Sequence, residues 1–334
     1  MSTCVLVAGA SGYIGKHIVQ HLINKSYSVI GQVRTEEKGD RLKSLLNSPN
    51  FKYVVIEDAE EKGAFDKLFK EHPEIQIVID SASPLPIGTN YEKRLIKRTA
   101  KGVKAILKSI EDHAPNVKRV VLTSSVAACM NAEQAQDPNF IVDEHKWNPD
   151  KHSAGKNNAK SAYFYAKANA EREAWEYMKK KRHFTLSTIL PGFTFGPQCF
   201  DEDISDIFDT SIEMIRNIFD LHQADPVPDE KGLFVDVRDV AQAHIDAFEK
   251  DEAQGKRLIM ASEDFSGQEI IDILHKNYPS VTTQLPTGHP NKDYANLKFD
   301  NHETMEILNI PCRSLESSIK DEYDQYLRTH GIIS

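Results

Sequence analysis

The stretch Cys4-Val5-Leu6-Val7-Ala8-Gly9-Ala10-Ser11-Gly12-Tyr13-Ile14-Gly15 constrains this chain more than any other. Its short apolar opening reads as a strand buried on both faces of a parallel sheet. Gly9, Gly12 and Gly15 then mark a turn, and Ile14, Ile18 and Leu22 continue at helical spacing. Gly9 permits the tight turn, Gly12 lets the backbone approach a pyrophosphate, and Gly15 lets the helix pack close to the strand. The N–H groups at the helix start, with the helix dipole, favour an anion there. Ser11, Tyr13 and Ile14 therefore join the three glycines as candidate cofactor-binding positions. The spacing is G-x-x-G-x-x-G rather than G-x-G-x-x-G, and a tight turn with no ligand is the competing explanation.

Apolar runs at 29–33, 53–56, 77–79, 120–122 and 186–189 alternate with helical patterns near 36–47, 63–71, 91–113 and 162–181. Such alternation implies right-handed crossovers and a doubly wound parallel α/β sheet, with ligand at the carboxyl ends of the strands. After Pro191 the pattern changes. The stretch 201–222 begins acidic, then places Ile204, Phe208, Ile212, Ile215 and Phe219 at helical spacing. Returning strands are expected at 234–237 and 258–260 around a helix over 238–250, with further helices near 266–277 and 314–328. We expect a dinucleotide-binding domain over 1–191, to which 233–262 returns, and a smaller, discontinuous substrate domain over 192–334. The polar stretch 131–160 is long for a loop, which suggests a wall of the site.

Net charge is −9, which disfavours non-specific nucleic-acid binding. No apolar run approaches a membrane-spanning length, and the chain enters its first strand without room for a signal peptide. Cys4, Cys129, Cys199 and Cys312 lie far apart with no C-x-x-C, as expected of free thiols in a reducing, cytoplasmic setting. His17 and His21 are four apart on the first helix, but no third ligand accompanies them. They read as a surface pair rather than a metal site.

The second strand ends Gln32-Val33-Arg34-Thr35. Arg34 stands where an NAD-binding fold carries an acid, and Lys38 follows one turn later. Both suit the 2′-phosphate of NADP, although solvated surface charge is the simpler alternative. Asp58 is placed to accept from an adenine amino group. The fifth strand ends Thr123-Ser124-Ser125, putting hydroxyls at the ligand edge. Next comes Ser161-Ala162-Tyr163-Phe164-Tyr165-Ala166-Lys167, entering a helix. Tyr163 and Lys167 are four apart and share a helix face. A nearby ammonium favours the phenolate and tunes the phenol for proton transfer. Tyr165 is only two before Lys167 and points elsewhere.

With these motifs in this order, the chain resembles the extended short-chain dehydrogenase/reductases. Within them it is similar to dihydroflavonol and cinnamoyl-type reductases and to yeast-type NADPH-dependent aldehyde, ketone and methylglyoxal reductases. The resemblance covers essentially the whole chain, including 33–38, Ala82-Ser83-Pro84, 120–125, the Tyr163–Lys167 motif, 191–197 and 234–241. It implies Ser125, Tyr163 and Lys167 as the catalytic group, with hydride passing from NADPH to a small carbonyl substrate. Tyr163 would donate the proton, Ser125 would hydrogen-bond the carbonyl oxygen, and Lys167 would hold the nicotinamide ribose. Ala82, Ser83 and Pro191 are implied as further cofactor contacts, and Leu85, Val126, Met130 and Phe193 as an apolar pocket. A monomer or homodimer is expected. The chain departs from the pattern at Lys101, where relatives often carry Asn, and at Val126 and Met130, where close relatives tend to carry aromatics. A sugar-nucleotide epimerase or dehydratase, or a non-catalytic NADP-binding sensor, remains an alternative. Arg34 weighs against the first and Tyr163 against the second.

Overall fold

Neighbouring residues of a strand face opposite sides of the sheet, and in β1 (Cys4–Ala8) both sides are buried. Val5 and Val7 join one apolar cluster, whereas Cys4, Leu6 and Ala8 join another. The computed structural model describes residues 3–82, 90–153, 155, 158–205, 210–290 and 297–333. After β1 come α1 (Tyr13–Asn24), β2 (Ser28–Val33), α2 (Glu36–Leu46), β3 (Phe51–Val55), α3 (Asp66–Glu71) and β4 (Ile75–Asp80). There follow α4 (Lys97–His113), β5 (Arg119–Thr123), β6 (Ile141–Val142), α5 (Ala159–Met178) and β7 (Thr185–Pro191). The remainder forms β8 (Phe193–Phe195), α6 (Thr210–Phe219), β9 (Lys231–Asp236), α7 (Val237–Glu249), β10 (Arg257–Met260) and β11 (Glu263–Ser266). It closes with α8 (Gly267–Asn277), β12 (Lys298–Phe299), α9 (His302–Leu308) and α10 (Leu315–Thr329).

Seven strands form the main sheet in the order β10-β7-β5-β4-β1-β2-β3, and every neighbouring pair is parallel. Helices α1, α2 and α7 cover the Val5 and Val7 face, and α3, α4 and α5 cover the other. The chain leaves β1 toward β2 and β3 on one side and later returns to β4 and β5 on the other. That reversal opens a crevice at the carboxyl ends of β1 and β4. A three-stranded sheet, ordered β11-β9-β8, lies beside it. Phe195, Phe234 and Phe265 of this sheet pack with Phe219 of α6 and Tyr323 of α10.

Several elements differ from the expected ones. The stretch 233–262 divides: α7 and β10 pack on the main sheet, whereas β9 pairs with β8 and β11. Asp236 ends β9 because its carboxylate accepts the Arg238 N–H at 2.8 Å and caps α7. The expected helix over 91–113 opens as a wide π-turn, Glu92–Ile96, before α4. Among the described residues, the 201–222 stretch forms a short 3-10 turn at Asp201–Asp203 and the helix α6. Asp203 is drawn inward there, bonded to Lys16 and to Arg41 at 2.6 Å each. Phe208 lies outside the described residues. The 131–160 segment contains a short turn at Gln134–Gln136, and its β6 pairs with β12.

A Cβ at Gly15 would lie 2.2 Å from the Gly9 carbonyl oxygen. Gly15→Ala should therefore push α1 away from the turn and cost about 1–3 kcal/mol, as overpacking typically does. Denaturant unfolding checks this, and an unchanged midpoint would show that the close approach is dispensable.

Candidate active site

The glycine turn is held from beneath by Gln32, a buried polar residue near the end of an otherwise apolar strand. Its Oε1 accepts the Gly9 N–H at 3.0 Å, while Nε2 donates to the carbonyls of Val33 and Ile56 at 3.1 and 2.9 Å. One amide thus ties together the chain at the exits of β1, β2 and β3. Gly9 has φ +74°, and a Cβ there would meet the Ala82 nitrogen at 2.9 Å. Glycine satisfies both limits. Gly12 starts α1 without any side-chain cap, and the first turn carries no acid. The positive end of that helix consequently opens on the crevice. This cradle fits a dinucleotide phosphate on its own geometry.

The remaining cofactor candidates lie along the same edge. Arg34 is exposed directly after β2, and Lys38 is exposed in the first turn of α2, where its N–H donates to the Thr35 hydroxyl at 3.3 Å. Asp58 is exposed beyond β3, and its carboxylate accepts the Glu60 N–H at 3.0 Å. Ala82 follows β4, with its N–H donating to Asp80 at 3.1 Å. Ser11 is half-buried at the turn, and Ile14 packs against the core under α1. The Tyr13 hydroxyl donates to the Gly196 carbonyl at 2.6 Å, so that side chain fastens the turn to the smaller lobe. Ser83 and Leu85 lie outside the described residues.

His17 is buried, not at the surface as expected. Its ring Nε2 lies 3.1 Å from the Pro197 carbonyl, and its ring meets Tyr13 edge-on. Burial lowers its pKa to about 4. The reason is a loop from far along the chain that covers this face of α1. Among the described residues no group of three or more His, Cys, Asp or Glu could hold a metal ion. No helix of the described residues is long and apolar enough to cross a membrane.

Three successive hydroxyls, Thr123 at the end of β5 and then Ser124 and Ser125, are bonded differently. The Thr123 hydroxyl pairs with His244 Nε2 at 2.7 Å. The Ser124 hydroxyl donates to Glu171 Oε2 at 2.7 Å. Ser125 Oγ lies 3.4 Å from the Pro191 carbonyl and accepts the Ala127 N–H at 3.2 Å. Of the three, Ser125 makes the longest bond as a donor. Tyr163 and Lys167 stand one turn apart on α5, which Asn158 caps by accepting the Ser161 N–H at 2.9 Å. Lys167 is buried, with Nζ donating to the Thr123 carbonyl at 3.4 Å. Tyr163 packs against Leu95, Ile96, Ala162 and Ala166. Tyr165 instead sets its ring edge-on to His152, and burial raises its phenol pKa.

The sequence reading did not single out Glu171 as a site residue, yet it fixes α5 in place. It is buried one turn beyond Lys167. Its Oε1 accepts from Arg257 Nε at 2.7 Å, the Thr188 hydroxyl at 2.9 Å and Trp175 Nε1 at 3.1 Å. Arg257 also donates to the carbonyls of Glu144 and Lys146 at 2.7 and 2.6 Å. Its guanidinium stacks over Trp147 at 3.8 Å from the ring centre. Helix α5, the exit of β5, and strands β7 and β10 therefore meet at one carboxylate, and Arg257 ties the 131–160 segment to it.

The apolar-pocket candidates divide between two clusters. Val126 and Met130 are buried together with Leu190, Leu233 and Ile259 next to Ser125. Phe193 is half-buried in the smaller lobe, its ring 5.2 Å from that of Phe265.

The model of the NAD dependent epimerase/dehydratase family matches residues 5–261. The chain belongs to that family. It is 40% identical to the putative NADPH-dependent methylglyoxal reductase GRP2 of Candida albicans, over 98% of this chain and 99% of the relative. It is 36% identical to the NADPH-dependent methylglyoxal reductase GRE2 of Saccharomyces cerevisiae, over 98% of this chain and 99% of the relative. Among solved structures it is similar to yeast methylglyoxal/isovaleraldehyde reductase Gre2 complexed with NADPH. That match has a TM-score of 0.95 at 35% identity, covering 99% of this chain and all of the other.

Because the Arg257 side chain is buried, removing its partner should leave an uncompensated charge. Glu171→Ala should cost about 3–5 kcal/mol in denaturant unfolding. Adding Arg257→Met should cost less than the sum of the two single changes. Strict additivity would show that the two side chains do not act as a pair.

Proposed function

We propose that this protein is an NADPH-dependent carbonyl reductase that converts small aldehydes, ketones or ketoesters to alcohols. The observation that carries the reading is the division of labour at the end of β5. Thr123 and Ser124 are engaged by His244 and Glu171 through short bonds, while Ser125 donates only a long 3.4 Å bond to the Pro191 carbonyl, which a substrate oxygen would replace beside Tyr163 and Lys167 of α5. The NADPH dependence named for the yeast relatives supports it. Gly9, Gly12 and Gly15, with the backbone at Ser11, Tyr13 and Ile14, would hold the pyrophosphate. Arg34 and Lys38 would take the 2′-phosphate, and Asp58, Ala82 and Pro191 would line the remainder. When bound, NADPH supplies a hydride to the carbonyl carbon.

The chain's own residues manage the oxygen. Ser125 donates a hydrogen bond to the carbonyl oxygen, which strengthens as negative charge develops there. Tyr163 gives that oxygen its proton as general acid. The Lys167 ammonium stabilises the phenolate that Tyr163 becomes, and solvent returns the proton. Val126, beside Ser125, forms the wall that sizes the substrate. The four cysteines are free thiols, which suits a reducing cytoplasm.

Tyr163→Phe should bind NADPH, by nicotinamide fluorescence, yet lose about a hundred- to ten-thousand-fold in turnover. Tyr165→Phe should stay within about tenfold of the parent. An active Tyr163→Phe beside an inactive Tyr165→Phe would place the acid on the wrong tyrosine. Arg34→Asp should raise the KM for NADPH much more than that for NADH, because only NADPH offers the 2′-phosphate. Equal effects on the two cofactors would remove Arg34 from the phosphate site.

A further inference from the structure

A buried carboxyl stands beside this machinery and has no part in the steps above. Asp80 ends β4 and is 5% exposed. Val78, two residues earlier, packs with Ala170 and Ala174 of α5. Strand alternation therefore turns Asp80 toward the α5 side of the sheet as well. Asp80 pairs in register with Leu122 of β5. The next residue of β5, Thr123, offers the carbonyl that accepts from Lys167 Nζ. Asp80 Oδ1 accepts the Ala82 N–H, and the Lys167 ammonium is the charge that acts on it.

We propose that Asp80 is a positioning residue for the Tyr163–Lys167 pair. Its carboxylate steadies the Lys167 ammonium at the β4–β5 edge and offsets part of the positive field that reaches the Tyr163 phenol. This inference rests on the reductase reading of the site.

Among the described residues, the groups on the elements packed around Asp80 are as follows. Its register partner in β1 is Ala8, and in β5 it is Leu122. Glu171 on α5 is bound to Arg257 and Ser124. His244 of α7 reaches Thr123 from the opposite face, and burial lowers its pKa to about 4, so it is neutral under ordinary conditions. On α4 the Thr99 hydroxyl turns back to Leu95, Arg98 pairs with Glu60, Lys104 pairs with Glu173, and Lys101 is exposed. Burial pushes Asp80 up to about 6, while the Ala82 N–H and Lys167 pull it down. Its charge therefore changes just below neutral pH.

Removing an anion near a phenol favours the phenolate, so the Tyr163 titration should move to lower pH, by about one unit. The readout is tyrosinate absorbance of the ligand-free protein, taken as the difference from the matching Tyr163→Phe protein. Asp80→Asn and Asp80→Ser, each checked for folding by circular dichroism, should both show the acid shift. The basic limb of the kcat profile for carbonyl reduction should move the same way. An unmoved Tyr163 midpoint in a folded variant would overturn the proposal. A parent protein that reduces no carbonyl would overturn the reductase reading instead, and the absorbance titration would still decide the role of Asp80. A reciprocal measurement leaves Asp80 intact. Lys167→Met should raise the Asp80 midpoint, followed by carboxyl-carbon NMR, and an unchanged midpoint would show that the two groups are not coupled.

Discussion

The buried Glu171–Arg257 pair is the contact on which the geometry of the site depends. The proposed proton transfer needs Ser125, just beyond β5, and Tyr163 of α5 to keep a fixed separation, although the two lie far apart along the chain. Small packing residues, Ala162, Ala166, Ala170 and Ala174, let α5 sit close to its neighbours but do not fix its position along its axis. Glu171 supplies that register. It takes hydrogen bonds from Ser124, directly after β5, and from β7 through Thr188, and an ion pair from β10 through Arg257. A buried ion pair adds little net stability compared with well-packed apolar residues, but it penalises any arrangement that separates its members. A site that relies on sub-ångström placement gains from that penalty.

A second set of contacts joins α1 and α2 to the 196–203 loop beside the glycine turn. Tyr13 bonds Gly196, His17 meets Pro197, and Lys16 and Arg41 both pair with Asp203. All four side chains on the main-sheet side come from the first two helices. The α1 start is therefore held from below by Gln32 and from above by the 196–203 loop. Lys16 and Arg41 are paired with Asp203, and Arg34 is exposed directly after β2.

Much of this was legible in the sequence because parallel strands buried on both faces appear as plain apolar runs. β1, β2, β4, β5 and β7 all gave that signal, and the glycine turn and the Tyr163–Lys167 spacing are local patterns. The smaller sheet was not legible. β8 is only three residues long, and β9 looks like any returning strand until its partners are known. Glu171 and Arg257 are 86 residues apart, and no local spacing relates them. His17 looked exposed because the residue that covers it, Pro197, is 180 positions away. Gln32 and Asp80 did leave a trace, each a polar residue at or near the end of a mostly apolar strand. Such residues in a parallel sheet call for a named partner.

The central claim is that Ser125, Tyr163 and Lys167 support reduction of a carbonyl by NADPH rather than the transient oxidation and return that an epimerase carries out. It is tested most directly by the fate of the hydride. Methylglyoxal would be turned over with NADPH carrying deuterium at the transferable position, one nicotinamide face at a time. The account predicts that one of the two labelled cofactors places a single deuterium on the carbinol carbon, with one NADPH consumed per alcohol formed. Alcohol formed without deuterium from either cofactor, or purified protein that retains NAD and consumes no NADPH with any carbonyl tried, would contradict it.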